Sequence, residues 1–305
     1  MKKTKAKHLP VSPSPRGGEG RGEGKRTRST LPRLTDRLPL GDGLLVSPIC
    51  LGAVARPDVV PAAWEAGINF FFLTADMHWP MYEPLRRGLR TLFKKPGARD
   101  SVVICTTAYV TQPDFCEMPF EEVVEALPGL DRIDVVSMGG VSAGDFKQRL
   151  PVYQRHRESG FVGNKAIGGS FHDRKTALSA INQQLVDLAF IRFNAGHPGA
   201  EADLFPHLDE PRHTKLFNFK TIDGWVPPPQ LDALGLDPRS WQPHPVDHYR
   251  FALTQPALDG VLAALSHPRE VRHLADALAA GPMAEDDQRY LITLAKARRS
   301  VQEGR

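Results

Sequence analysis

Cysteine is scarce in this chain. Cys50, Cys105 and Cys116 are too few, and odd in number, for a disulfide framework, and no two share a close metal-ligand spacing. Cys105 falls inside the apolar run SVVICTT, where a packed thiol is expected. We therefore assign none of the three a redox role. Long apolar runs are also missing: none approaches the ~20 residues of a membrane-spanning helix. The first residues are basic but are not followed by the apolar stretch of a secretory signal. The cytoplasm is the expected compartment, with no membrane partner.

A uniformly basic body is lacking as well. The formal net charge is +4, yet the first 35 residues alone carry +8, which leaves −4 on the remainder. That distribution removes the simplest argument for specific nucleic-acid binding. Residues 1–33, including SPSPRGGEGRGEGKR, offer almost nothing to bury. They are expected to form a disordered basic tail, which leaves residues 34–305 as the folded unit. A chain of 305 residues with 41% hydrophobic and 24% charged content suffices for one α/β barrel without a second domain.

What the chain does contain is a repeated alternation. The stretch NFFFLTADMHWPMY, residues 69–82, reads as a buried strand that runs into a loop. A helical pattern, EPLRRGLRTLF, follows. The loop after such a strand is where barrel enzymes carry their chemistry. Upstream, Gly41-Asp42-Gly43 separates two short apolar runs, as in a hairpin, and residues 59–66 form a first helix. Strands are expected at 49–51, 70–73, 102–106, 133–138, 162–168, 186–191, 215–219 and 260–264. Helical stretches lie between them, and AEDDQRYLITLAKARRS closes the chain as a C-terminal helix. Strand and helix in alternation imply parallel pairing with right-handed crossovers, an α/β fold.

The segment from Gly67 to Trp79, GINFFFLTADMHW, resembles the second barrel strand of the aldo-keto reductases. The resemblance covers roughly residues 37 to 280. It implies a (β/α)8 TIM barrel with an N-terminal hairpin and a C-terminal helix, and hydride exchange between NADP(H) and a small-molecule carbonyl or alcohol. The family's aspartate falls on Leu73, its proton-donating tyrosine on His78, its lysine on Thr107 and its histidine on Gly139. All four reactive positions are thus substituted, and leucine and glycine neither donate protons nor hold charge. His78 is the catalytic candidate, because an imidazole titrates near pH 6.5 without a helper cation. Other readings stand beside it: an inactive barrel used as a ligand-binding or regulatory subunit, another reaction in the same pocket, or His78 as an ordinary loop residue. Tyr82, four residues on, is expected to pack its ring in the first turn of the next helix.

The resemblance also implies a cofactor side. Ser170 matches the serine of the family's fifth barrel strand, whereas the glutamine of the sixth falls on Phe190. Phe219 stands where an aromatic stacks on nicotinamide, with Lys220, Thr221 and Ile222 along the pyrophosphate. Ser266 and Arg269 match the adenosine-phosphate grip. Substrate choice would depend on loops near Trp79, Trp225 and Trp241. His172 and His197 also follow expected strands; joined with Asp76 and His78 they offer a metal reading, but their spacing matches no ligand motif. No metal is assigned, and Asp173 is expected to cap a helix.

Overall fold

Eight short apolar runs close into one parallel barrel because each is followed by a helix that returns the chain to the same end. The computed structural model describes residues 28–303 except Gly235 and Pro238. The hairpin comes first: β1 (Leu38–Leu40) pairs antiparallel with β2 (Leu44–Val46). Its turn residues Gly41 and Gly43 have φ of 52° and 70°, a region that favours glycine. A Cβ on Gly41 would stand 2.6 Å from the Cβ of Ala166, so the turn sits directly on the barrel floor.

The barrel strands are β3 (Ile49–Val54), β4 (Phe70–Thr74), β5 (Val103–Ala108), β6 (Val135–Val141), β7 (Ala166–Phe171), β8 (Leu188–Arg192), β9 (Lys215–Phe219) and β10 (Gly260–Leu265). They close in sequence order, with β10 paired to β3. Each expected strand is present. The largest displacement is at 162–168, where Gly160 at φ 67° and a 3-10 turn over Phe161–Gly163 delay the strand until Ala166. The lumen is filled by aromatic rings: Phe70 meets Phe217 at 5.5 Å, and Phe72 meets Phe190 at 5.2 Å, both edge-on. Cys50 and Cys105 are fully buried in β3 and β5, and burial pushes both thiols well above their ordinary range.

The outer layer comprises α1 (Val59–Glu65), α2 (Glu83–Leu92), α3 (Met118–Ala126), α4 (Ala143–Ser159), α5 (Arg174–Asn182), α6 (Ala200–Asp203), α7 (Pro228–Ala233), α8 (Pro245–Thr254), α9 (Pro268–Ala279) and the C-terminal α10 (Glu285–Glu303). Asp173 caps α5 by accepting the N–H groups of Lys175 and Thr176. Among the described residues, no helix is long and apolar enough to cross a membrane. The expected tail lies mostly outside the described residues. Its last part does not: Arg28 donates to the carbonyl of Leu258, and Leu31 is buried in the core. Packing therefore begins before residue 34, because Leu31 finds apolar cover beneath the barrel.

Four polar latches hold the floor. Asp134, Asp187 and Asp259 each stand immediately before an even-numbered strand and accept a backbone N–H from the strand before it. The donors are Ile104, Ile167 and Leu216, each at 2.8 Å. Each carboxylate also meets an arginine, respectively Arg99, Arg157 and Arg212, at 3.1–3.2 Å. Asn69 does the same work before β4, accepting from Ser47 N at 2.7 Å. Replacing Asp134, which is 2% exposed, with alanine leaves the Ile104 N–H unpaired and removes one partner of Arg99, which keeps Asp131 and the carbonyls of Val102 and Arg132. The expected loss is about 1–3 kcal/mol in urea unfolding, the cost of an unpaired buried N–H. Asp134→Asn, which keeps an acceptor, should cost clearly less; equal losses would show that the backbone latch contributes nothing.

Candidate functional site

All eight strands end at one face, and the loops there are set by local constraints. After β4 the chain enters a 3-10 turn over Asp76–Tyr82. Asp76 takes φ 56°, costly for a non-glycine residue, and its carboxylate accepts the Tyr109 N–H at 2.7 Å. Ala75 N–H also bonds the Thr107 carbonyl at 2.8 Å. The turn is held from beneath by Arg86, which is 3% exposed. Its guanidinium lies 3.6 Å from the Trp79 ring centroid, bonds the Trp79 carbonyl and pairs with Glu83. His78 is thereby fixed, half-buried, with its ring edge-on to Tyr109 at 4.8 Å. Tyr82 packs, as expected: its ring lies 6.0 Å from Phe72, and burial raises its phenol far above the ordinary value.

Strand pairing decides which register positions face the lumen. Phe72 pairs with Cys105 and faces inward, as its ring contact across the barrel shows. Leu73, its neighbour, therefore points to the helical layer. The inward residues one step higher are Thr74, Thr107 and Ser137, aligned across β4, β5 and β6. Their hydroxyls are buried and make no hydrogen bond of ordinary geometry. Thr107 stands by the Cys105 thiol, which slightly offsets that thiol's burial. Where the resemblance sets an aspartate–lysine pair, the barrel holds a leucine turned outward and a shelf of uncharged hydroxyls.

Tyr109 escaped the sequence reading. A Cβ on Gly139 would stand 2.7 Å from two carbons of the Tyr109 ring and 2.9 Å from Thr107 Cγ2. The ring thus fills the space that a side chain at 139 would need. Burial, then the charge of Asp76, raises its phenol above the ordinary value. Arg149 was missed too. It is fully buried on α4 and donates to the carbonyls of Gly139 at 3.0 Å and Ala108 at 2.8 Å, tying the ends of β5 and β6 together. The signal for Tyr109 was an aromatic two residues past Thr107 opposite a Gly-Gly pair. Nothing in sequence spacing marks Arg149.

The cofactor candidates share this face. Ser170 is the next-to-last residue of β7 and Phe219 the last of β9, each 7% exposed. Lys220 takes φ 55°, its carbonyl held by Asn194 Nδ2 at 2.8 Å. Thr221 is buried and its hydroxyl accepts from Asn218, while Ile222 packs partly against the core. Ser266 and Arg269 flank the start of α9 and are exposed; the Ser266 N–H is taken by Glu270 at 2.7 Å. Phe190 fills the lumen between Phe72 and Phe217, so no amide stands at that position. On the β10 side, lumen-facing Leu262 is half-exposed and Ala264 exposed, which leaves the mouth open there. Trp241 stacks on Tyr290 of α10, and the Trp225 indole donates to the Pro243 carbonyl at 3.0 Å. His172 lies edge-on to Phe219 at 5.5 Å, and His197 contacts Asn194 and Arg299. Among the described residues, no group of three or more His, Cys, Asp or Glu is placed to hold a metal.

No protein-family model matches this chain, and no curated protein matches it. Solved structures do. An aldo-keto reductase from Bacillus halodurans in its holo form superposes with a TM-score of 0.65 at 14% identity, over 86% of this chain and 97% of that one. The glycerol dehydrogenase of Gluconobacter oxydans gives a TM-score of 0.62 at 15% identity, over 87% and 96%. An aldo-keto reductase from Brucella melitensis gives 0.60 at 15% identity, over 87% and 100%. At such identities the likeness establishes the fold: an eight-stranded parallel barrel of the aldo-keto reductase kind.

The Gly139–Tyr109 contact can be tested directly. Gly139→Ala is expected to cost about 1–3 kcal/mol, because the new methyl overlaps a held ring. In a Tyr109→Ala background most of that loss should disappear in a double-mutant cycle. Additive losses would mean that Tyr109 does not occupy the space above Gly139.

Proposed function

We propose that this barrel is an oxidoreductase that exchanges hydride between a nicotinamide cofactor, NADP(H), and a small carbonyl or alcohol, with His78 as the proton donor. One observation supports the reading: His78 follows β4 at the same barrel end at which Ser170, Phe219 and the Lys220–Ile222 turn stand. The residues present fit such a cofactor in part. Phe219 offers an aromatic face, and Lys220 an exposed cation held in a strained backbone. Arg269 at the start of α9 supplies a planar cation suited to a 2′-phosphate. Phe190 does not supply the carboxamide partner, which leaves that group underpaired at a cost of about 1–3 kcal/mol.

When bound, the cofactor supplies the hydride. The chain's own residues must neutralise the charge that develops on the carbonyl oxygen. Leu73 faces away and Gly139 has no side chain. The Thr74, Thr107 and Ser137 hydroxyls are poor acids. Histidine is the residue type suited to giving up a proton near neutrality, and the His78 ring lies edge-on to Tyr109, whose N–H Asp76 accepts. The same substitutions also fit a second reading, a barrel that binds a ligand or regulates a partner without turnover. Three free, buried thiols fit a reducing compartment, and we propose the cytoplasm.

The first test is titration of the protein's tryptophan fluorescence with NADPH, checked by calorimetry. Saturable binding is expected; none at millimolar cofactor would remove the redox reading in favour of the binding protein. The second is single-turnover NADPH oxidation. His78→Ala should slow it by about 10²–10⁴-fold, and the wild-type rate should fall as pH rises through the range where imidazoles deprotonate. Tyr109 would behave differently: its raised phenol stays protonated beyond the ordinary phenol range, so a rate sustained above neutrality and lost in Tyr109→Phe would assign the donor to Tyr109.

A further inference from the structure

Beside the proposed cofactor side, one lumen residue has no role yet. Arg192 ends β8 in register with Phe219 of β9, two positions above Phe190, and so leaves its strand on the lumen side. A guanidinium carries five N–H donors. Here Nη2 meets Asp223 at 3.3 Å, while the buried Nε has no partner.

The surroundings are rich in positive charge. Lys220 follows Phe219 and makes no ion pair among the described residues. Arg299 reaches the Gly196 carbonyl and His197, and Arg298 donates to the Trp225 carbonyl. Asp223 is the carboxylate set among them. His172 lies across Phe219 from this group, and burial followed by Lys220 and Arg192 lowers its imidazole below the ordinary value. Cations gathered at a partly desolvated mouth repel one another, a cost that an anion there would offset.

We propose that Arg192, with His172 beside it, receives a carboxylate of the substrate, so that the preferred carbonyl compounds are oxo-acids rather than neutral aldehydes. This rests on the oxidoreductase reading above. The planar fork of arginine matches a carboxylate in two-point pairing. Its place beside Phe219, above the Phe190–Phe217 plug, puts the anion at the level where the reacting end enters. The cofactor's phosphates are assigned further out, to Lys220 and to Ser266–Arg269. The Asp223 contact is the part that must yield: it occupies one edge of the fork in the ligand-free protein.

The test compares phenylglyoxylate with its neutral methyl ester by calorimetry, on the full chain with and without NADPH. The acid should bind at least about tenfold more tightly than the ester, as a charge-assisted pair implies. Arg192→Gln should abolish that preference and leave NADPH affinity within about threefold. Arg192→Lys, which keeps the charge but not the fork, should retain part of the preference, and thermal melts confirm that each variant is folded. Equal binding of acid and ester by the wild type overturns the proposal. So does an acid preference that survives Arg192→Gln, or a loss confined to NADPH affinity, which would give the anion site to the cofactor. If NADPH fails to bind while the acid preference and its loss in Arg192→Gln persist, the site stands and the redox reading fails.

Discussion

The barrel depends on satisfying backbone groups at its floor, where strands start inside the protein and water is excluded. At every second strand junction one side chain meets this demand: Asn69, Asp134, Asp187 and Asp259. The three aspartates also donate their own N–H to the carbonyl of the residue whose N–H they accept, at 2.8–3.0 Å. Each clamp therefore fixes register at two points, and an arginine balances each buried charge. A one-residue slip would break both bonds and turn the lumen phenylalanines outward. The floor sets the register of the opposite end, where the candidate site stands.

At that opposite end, uncharged groups and close packing dominate the β4–β6 side. Leu73 turns into the helical layer, and Thr74, Thr107 and Ser137 form an uncharged shelf. Gly139 gives up a side chain, and Tyr109 takes the space. Two carbonyls at the ends of β5 and β6 are then secured by Arg149 from outside the lumen. These changes are coupled: a larger residue at 139 displaces Tyr109, and Tyr109 is what His78 leans on. Positive charge gathers on the β8–β9 side, around Arg192 and Lys220.

Much of the fold was legible in the sequence because strands buried on both faces read as short apolar runs at a steady rhythm. NFFFLT and VVICTT needed no partner to be recognised. The start of β7 was misplaced because FVGN is apolar enough for a strand, whereas Gly160 and Gly163 turn it into a 3-10 bend. Leu31, one leucine in a polar stretch, carries little weight in the sequence although it is buried. Motif register alone offers His78, Ser170 and Phe219 as candidates. It does not offer Tyr109, Arg149 and Arg192, since their meaning lies in contacts between elements 10 to 41 residues apart in the chain for Arg149 and 31 for Arg192. Leu73 could be matched to a register position but not oriented, because facing follows from strand pairing.

In the proposed function the barrel mouth presents a nicotinamide to His78. The most direct measurement is a crystal structure of the full chain with NADP(H). The account predicts the nicotinamide ring against Phe219, the adenosine phosphate near Arg269, and open space between the ring and His78 for a carbonyl within about 3–3.5 Å of the reacting atoms. A cofactor bound with its nicotinamide outside the mouth, or with Tyr109 rather than His78 facing the reactive carbon, would contradict it.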